Sequence, residues 1–328
     1  MHYLVSGGTG FIGAACVRRL VQDGHKVRVF DNNSRGSERR LGDVADKVEL
    51  VIGDIRDAAA VDRAVEGVDS VLHLAYVNGT QFFYDRPELV LDVGVRGMLN
   101  VLDACRKHGV RELTLASSSE VYQSPPMVPT AEDAPLAVPD VLNPRYSYGG
   151  GKIIAELMAI NWGRTDFDRV TIFRPHNVYG PDMGWEHVVP QFAMRLQDVA
   201  KAHQGGPLNF PILGDGRQTR SFIYIDDFVD GVITVLEKGE HLNLYHIGTM
   251  DEVTIGGLVS TMGELRGLDL VVSPSEAPKG ETSRRCPDIA KLAALGFAPR
   301  FTLKEGLEPT MSWYENNRHE QPVSEGPK

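Results

Sequence analysis

Apolar and polar positions alternate regularly through the first half of the chain. Residues 3–5 form a short apolar run; glycines follow, and from residue 11 to about 23 apolar positions recur at helical spacing. The succession then repeats, with strand patterns at 26–31, 48–53, 70–75, 112–117 and 170–174. Helical patterns lie at 58–65, 87–108 and 148–164, the second reading as one long helix, and 32–46 reads as polar loop or short helix. Such alternation predicts an α/β fold with a doubly wound parallel sheet and right-handed crossovers.

Beyond residue 174 the pattern loosens. Helices are expected at 189–202, 226–238 and 303–316, short ones near Thr254 and Ile289, and short strands at 209–213, 222–225, 244–248 and 269–272. The expected division is a dinucleotide-binding domain over 1–174 and a smaller substrate lobe over 175–317, with segments returning to the main sheet. A frayed polar tail would cover 318–328. Residues 123–144 hold six prolines among apolar residues and read as an ordered loop over the site.

Composition narrows the partners. A net charge of −10 argues against nucleic acid or an anionic membrane, while leaving room for local cationic sites that hold a phosphorylated small molecule. No apolar run reaches 18 residues, and the chain enters a strand at once, which leaves no place for a signal peptide. The three cysteines, Cys16, Cys105 and Cys286, are odd in number and lack metal-ligand spacing. They imply no metal and a reducing, cytoplasmic compartment.

The glycine turn carries the first chemistry. Gly7, Gly10 and Gly13 stand between a strand and a helix, spaced G-x-x-G-x-x-G. Bare backbone there lets a pyrophosphate reach N–H groups at the positive end of a helix. The next strand ends in Asp31, 18 residues after Gly13, where a carboxylate accepts both ribose hydroxyls of NAD and repels a 2′-phosphate.

A second stretch runs from Tyr146 to Lys152. Tyr148 and Lys152 are four apart and share one helix face, whereas Tyr146, six away, points off it. A lysine cation lowers the cost of a phenolate, so Tyr148 can take a proton from a hydroxyl while hydride leaves for a nicotinamide. Gly149, Gly150 and Gly151 lie between the two and weaken the helix, by roughly 1 kcal/mol each, which suggests a close approach by a ligand or another backbone. Ser117, Ser118 and Ser119 end the fifth strand; alone they also read as a polar strand-to-loop turn.

Together these motifs resemble a known family. Gly7 to Gly13, Asp54-Ile55-Arg56, His73-Leu74-Ala75, Ser117 to Tyr122, Tyr148 with Lys152, and Arg174 to Pro181 stand in its order, and the likeness covers residues 1 to about 310. The chain is similar to extended short-chain dehydrogenase/reductases, in the NAD-dependent nucleotide-sugar epimerase/dehydratase group. The resemblance implies a Rossmann domain, NAD as cofactor, a nucleotide-diphosphate sugar as substrate and a homodimer built on the 87–108 and 148–164 helices. It implies that Gly7, Gly10 and Gly13, with Phe11 and Ile12, hold the pyrophosphate. Asp31 and Asn32 would take the adenosine ribose, Asp54 and Ile55 would flank the adenine, and Leu74 and Ala75 would line the way to the nicotinamide. Tyr148 would be the base, Lys152 its partner on the nicotinamide ribose, and Ser118 the catalytic hydroxyl. Asn177, Arg220 and Arg285 would meet the diphosphate; each arginine alone also reads as a surface ion pair.

Three departures stand out. Gly94-Val95-Arg96-Gly97-Met98 replaces an Asn-Val-x-Gly-Thr pattern, the Gly149–Gly151 run is unusual, and Met183-Gly184-Trp185-Glu186-His187 has no assigned role beyond shaping sugar selectivity. A 4,6-dehydratase would carry an acid pair after its Ser/Thr; here Ser119-Glu120 keeps only the glutamate. A nucleotide-uronic acid decarboxylase resembles Thr-Ser-Glu at the same place. The leading expectation is therefore a 4-epimerase working through a transient 4-keto sugar, with decarboxylase second and dehydratase third. Glu120 is the further candidate acid or base, and a non-catalytic NAD-binding protein is the rival from another class.

Overall fold

The structure, a computed structural model, describes residues 1–202, 205–275 and 283–321. Its centre is a parallel sheet whose strands are β1 (His2–Ser6), β2 (Lys26–Asp31), β3 (Val48–Ile52), β4 (Ser70–His73), β5 (Glu112–Ala116), β6 (Arg169–Pro175) and β11 (Asn243–Ile247). They lie in the order β11-β6-β5-β4-β1-β2-β3. The order reverses at β1 and β4, so the loops after these two strands open a crevice at their carboxyl ends, where ligands of such sheets bind.

Period-two alternation sorts side chains to the two faces of the sheet. In β1, Tyr3 and Val5 join one core and Leu4 the other. The first core is closed by α1 (Phe11–Gln22) and α8 (Ile225–Lys238), through Cys16, Val17, Val229 and Val232. The second is closed by α2 (Ala58–Val65), α5 (Gly97–His108) and α6 (Ser147–Asp166), through Val61, Val65, Val101, Leu102, Ala155 and Ala159. Asp57 caps α2 by accepting from the N–H groups of Ala59 and Ala60, which fixes its start.

The expected single helix over 87–108 runs through without a break, its backbone right-handed helical at each junction, and it carries a π turn inside it. Helices α3 (Thr80–Asp85) and α4 (Pro87–Leu91) are followed by a π turn, Asp92–Arg96, before α5 begins. Apolar spacing does not register a turn widened by one residue. The π turn carries Gly94, and a Cβ built there would overlap the phenol of Tyr76.

The second lobe surrounds α7 (Val188–Ala202). Its strands are β7 (Val178–Tyr179), β8 (Leu208–Leu213), β9 (Thr219–Ser221), β10 (Ile223–Tyr224), β12 (Glu252–Thr254), β13 (Leu270–Ser275) and β14 (Arg284–Arg285). The expected strand at 222–225 is two elements, because α8 already starts at Ile225. Helices α9 (Ile255–Leu265), α10 (Ala290–Ala293) and α11 (Leu303–Asn316) complete it, and β11 carries the chain back to the main sheet beside β6. The proline-rich loop is pinned: Thr130 N–H donates to Cys286 O at 2.9 Å and Asp288 N–H to Thr130 O at 2.8 Å. Of the expected frayed tail, Arg318–Glu320 forms a short helical turn tied by Arg318 to Asp198 and by Glu320 to Arg39; residues 322–328 lie outside the described ones.

Candidate active site

The glycine turn is built for close approach. Gly7 adopts φ +74°, and a Cβ there would come within 2.8 Å of the Ala75 amide nitrogen. A Cβ on Gly13 would collide with the Gly7 carbonyl. Helix α1 therefore packs directly on the turn, with Gly10 as an N-cap that offers no side-chain cap and no acid in the first turn. The amides of Phe11 and Ile12 head a helix end suited to an anion. Leu74 and Ala75 line the turn's other side, their N–H groups donating to Ser6 Oγ at 3.2 and 3.3 Å. This bare turn and the helix end behind it are the groups that could hold a dinucleotide's phosphates.

Asp31 ends β2 beside the turn. Its carboxylate accepts from the N–H groups of Thr9 at 3.1 Å and Asn33 at 2.9 Å, which ties it to the glycine turn and to the loop after β2. Asn32 donates to Asp54 at 3.2 Å. Asp54 is also bridged by Arg56 at 2.7 Å, a hydrogen bond that lowers its pKa to about 2. Ile55 is buried, its carbonyl accepting from Asn100. Asp31, Asn32, Asp54 and Ile55 thus gather at the ends of β2 and β3.

Tyr148 and Lys152 share the buried face of α6. The Tyr148 ring stacks on Phe83, centroids 4.8 Å apart. Burial pushes the phenol up to about 12, against the lowering effect of Ser118. The Lys152 ammonium lies 5.9 Å from the Tyr148 centroid and donates to Ala116 O at 2.7 Å. Burial lowers its pKa to about 7. Lys152 is thus near the phenol, yet its own desolvation limits how much charge it lends.

Glu120 follows Ser118, whose Oγ accepts from the Glu120 N–H at 3.2 Å. Its carboxylate is ion-paired to Arg285, with Arg145 at 3.9 Å. Burial would raise its pKa, but Arg285, with Arg145 and Arg220, holds it below the usual glutamate value. Arg285 and Arg220 are register partners on β14 and β9, so the two expected diphosphate arginines sit on neighbouring strands. Asn177 takes φ +38° and donates to Ser221 O at 2.9 Å, fixing the loop after β6.

Behind these groups lies a buried polar network that motif spacing did not mark. Glu156, one turn beyond Lys152, accepts from Ser117 and pairs with Arg174 at 2.6 Å. Arg174 also donates to Tyr122, which hydrogen-bonds His246 at 2.6 Å. His176 is buried against His246, ring centroids 4.7 Å apart, and burial drives its pKa well below the ordinary histidine value. The i, i+4 spacing of Lys152 and Glu156, with Arg174 at a strand end, was the signal available. Met183–His187 packs on α11, with Trp185 against Trp313 and Tyr314. Asp182 bridges Arg39 at 2.8 Å and Arg40 at 3.0 Å, and Glu186 meets Arg35 at 3.3 Å, so the segment is tied to the loop after β2.

Known proteins share this fold. The sequence model of the NAD dependent epimerase/dehydratase family matches residues 3–248. A UDP-N-acetyl-alpha-D-glucosaminuronate decarboxylase of Bacillus cytotoxicus is 30% identical, covering 95% of this chain and 97% of its own. The dTDP-glucose 4,6-dehydratase of Streptomyces venezuelae, solved with NAD bound, superposes with a TM-score of 0.85 at 30% identity, covering 97% and 98%. The UDP-glucose 4-epimerase of Thermotoga maritima, solved with UDP-glucose, gives 0.85 at 26% identity, covering 97% and 100%.

Proposed function

The chain belongs to the NAD-dependent epimerase/dehydratase family, and on that premise we propose that it is a nucleotide-sugar 4-epimerase. Gly7, Gly10 and Gly13, with the amides of Phe11 and Ile12, hold the NAD pyrophosphate. Asp31 and Asn32 take the adenosine ribose, Asp54 and Ile55 border the adenine, and Leu74 and Ala75 lead to the nicotinamide. NAD, when bound, would supply the hydride acceptor and a further positive charge. Tyr148 removes the proton of the sugar hydroxyl, Ser118 donates a hydrogen bond to the same oxygen, and Lys152 stabilises the phenolate. NAD would return the hydride to the other face of the 4-keto sugar, and Tyr148 gives the proton back to its oxygen. Asn177, Arg220 and Arg285 meet the nucleotide's diphosphate.

One observation supports epimerisation over elimination. Glu120 is ion-paired to Arg285 and kept below the usual glutamate pKa, with Ser119 beside it, so no protonated acid stands ready to expel water. A second reading, decarboxylation of a nucleotide uronic acid, is favoured by the Ser118-Ser119-Glu120 run and by the decarboxylase relative at 30% identity. Incubation with UDP- and dTDP-sugars and uronic acids, without added cofactor, separates them. An inverted hydroxyl by NMR supports the epimerase; release of carbon dioxide or water supports the alternatives.

We further propose a homodimer. Leu91, Leu99, Ile154 and Leu157 are exposed apolar residues on α4, α5 and α6, a face suited to a second copy. Three free, buried cysteines fit a reducing compartment, and we place the protein in the cytoplasm.

A further inference from the structure

Tyr76 follows β4 by three residues and wedges its ring between the π turn and α6. Gly94 in that turn and Gly151 in α6 both face it. A Cβ on either would come well under 3.0 Å from the phenol oxygen, closer than real side chains approach. The face of the ring lies 4.0 Å from the Lys152 ammonium, and its edge meets the Tyr148 ring, centroids 5.1 Å apart. The phenol oxygen is buried with no hydrogen-bond partner among the described residues. A ring admitted by two glycines, yet making no hydrogen bond, contributes through its π face.

Lys152 needs such a face. Its ammonium is buried, and its hydrogen bond goes to a neutral carbonyl, Ala116 O. Glu156, the carboxylate on the same helix, is already engaged by Arg174 and Ser117. The other titratable groups around Lys152 are Tyr148 on α6 and His73 on β4, whose imidazole burial holds neutral with a pKa of about 3. An aromatic face over a desolvated ammonium offsets part of the burial cost.

We propose that Tyr76 is a positioning residue for the Tyr148–Lys152 pair: its π face keeps the Lys152 ammonium charged and in place, and Gly94 and Gly151 are small to admit the ring. This rests on the reading of Tyr148 and Lys152 as the reacting pair, and it accounts for Gly94 in one departure from the family pattern and Gly151 in another.

The test is an NMR titration of the full-length protein labelled with 13C-lysine. The Lys152 signal is assigned by its absence from Lys152→Met. No substrate or cofactor is needed, so the result stands apart from whether the sugar reading holds. Tyr76→Phe keeps the π face and is expected to leave the Lys152 midpoint in place. Tyr76→Leu removes it and is expected to lower the midpoint by about 0.5–1.5 units. The alkaline limb of the pH–rate profile should move with it. If Tyr76→Leu does not fold, Tyr76→Met carries the same comparison. An unchanged midpoint in the Leu or Met variant overturns the proposal. So does a Tyr76→Phe shift as large as theirs, since the hydroxyl would then be the active part.

Discussion

Tyr148 and Lys152 pull against their surroundings. Burial raises the phenol to about 12 and lowers the ammonium to about 7, so both charged forms are costly where the proposed chemistry uses them. Tyr148→Phe is expected to lower turnover at least ~10²-fold, as for a lost general base, with NAD content unchanged because the glycine turn and Asp31 are the residues proposed to hold the cofactor. Ser118→Ala should cost less, roughly 1.5–3 kcal/mol in kcat/KM, one hydrogen bond to a developing charge. Steady-state kinetics beside cofactor content by absorbance checks both. The lysine also predicts a stability trade. Its folded pKa, about 7, lies below the unfolded value of about 10.4. Between these the unfolded chain binds the proton and the folded one does not, so this group's contribution becomes more favourable as pH rises through that window. Below it the folded state carries the full cost of the buried charge. Lys152→Met should therefore melt higher than the parent at pH 7, with the gap closing toward pH 10, while losing activity. A gap that widens with pH in scanning calorimetry contradicts this.

At the scale of elements, three adjacent glycines in α6 give a graded prediction. A helix-interior Gly→Ala change ordinarily gains roughly 1 kcal/mol. A Cβ at Gly150 meets only Val138 Cγ2 at 3.4 Å, an ordinary contact, so Gly150→Ala should stabilise by about that amount. At Gly149 it would press on the Glu120 carbonyl at 2.9 Å, and at Gly151 on the Tyr76 phenol. Gly149→Ala and Gly151→Ala should both lower the melting temperature, against helix propensity. The elements themselves were largely legible because each strand and helix carries its own period: α2 and α11 occupy 58–65 and 303–316, as the pattern predicts. The π turn at Asp92–Arg96 was not, because one widened turn leaves apolar spacing almost unchanged, and the ring that Gly94 faces comes from the loop after β4. The glycine run announced a close approach, though not that its occupant is Tyr76. Likewise Glu120 was legible as a residue near Ser118, but its ion pair comes from β14, 165 residues away in the chain.

For the whole molecule, the exposed leucines and isoleucine on α4–α6 predict assembly. Light scattering at micromolar concentration should give a dimer mass, and Leu157→Glu, at a side chain 59% exposed, should give a monomer that still folds. A dimer unaffected by that change would place the interface elsewhere. The lobes meet where NAD and sugar are proposed to meet, and the family is NAD-dependent, so the central claim concerns where the hydride goes. The direct measurement starts from nucleotide sugars deuterated at C4, incubated with the purified protein and no added cofactor, with products read by NMR and mass spectrometry. The account predicts an epimer inverted at C4 that keeps its deuterium on that carbon, because the hydride is held and returned. Deuterium lost to solvent, an inversion at another carbon, or a product lighter by water or carbon dioxide would contradict it.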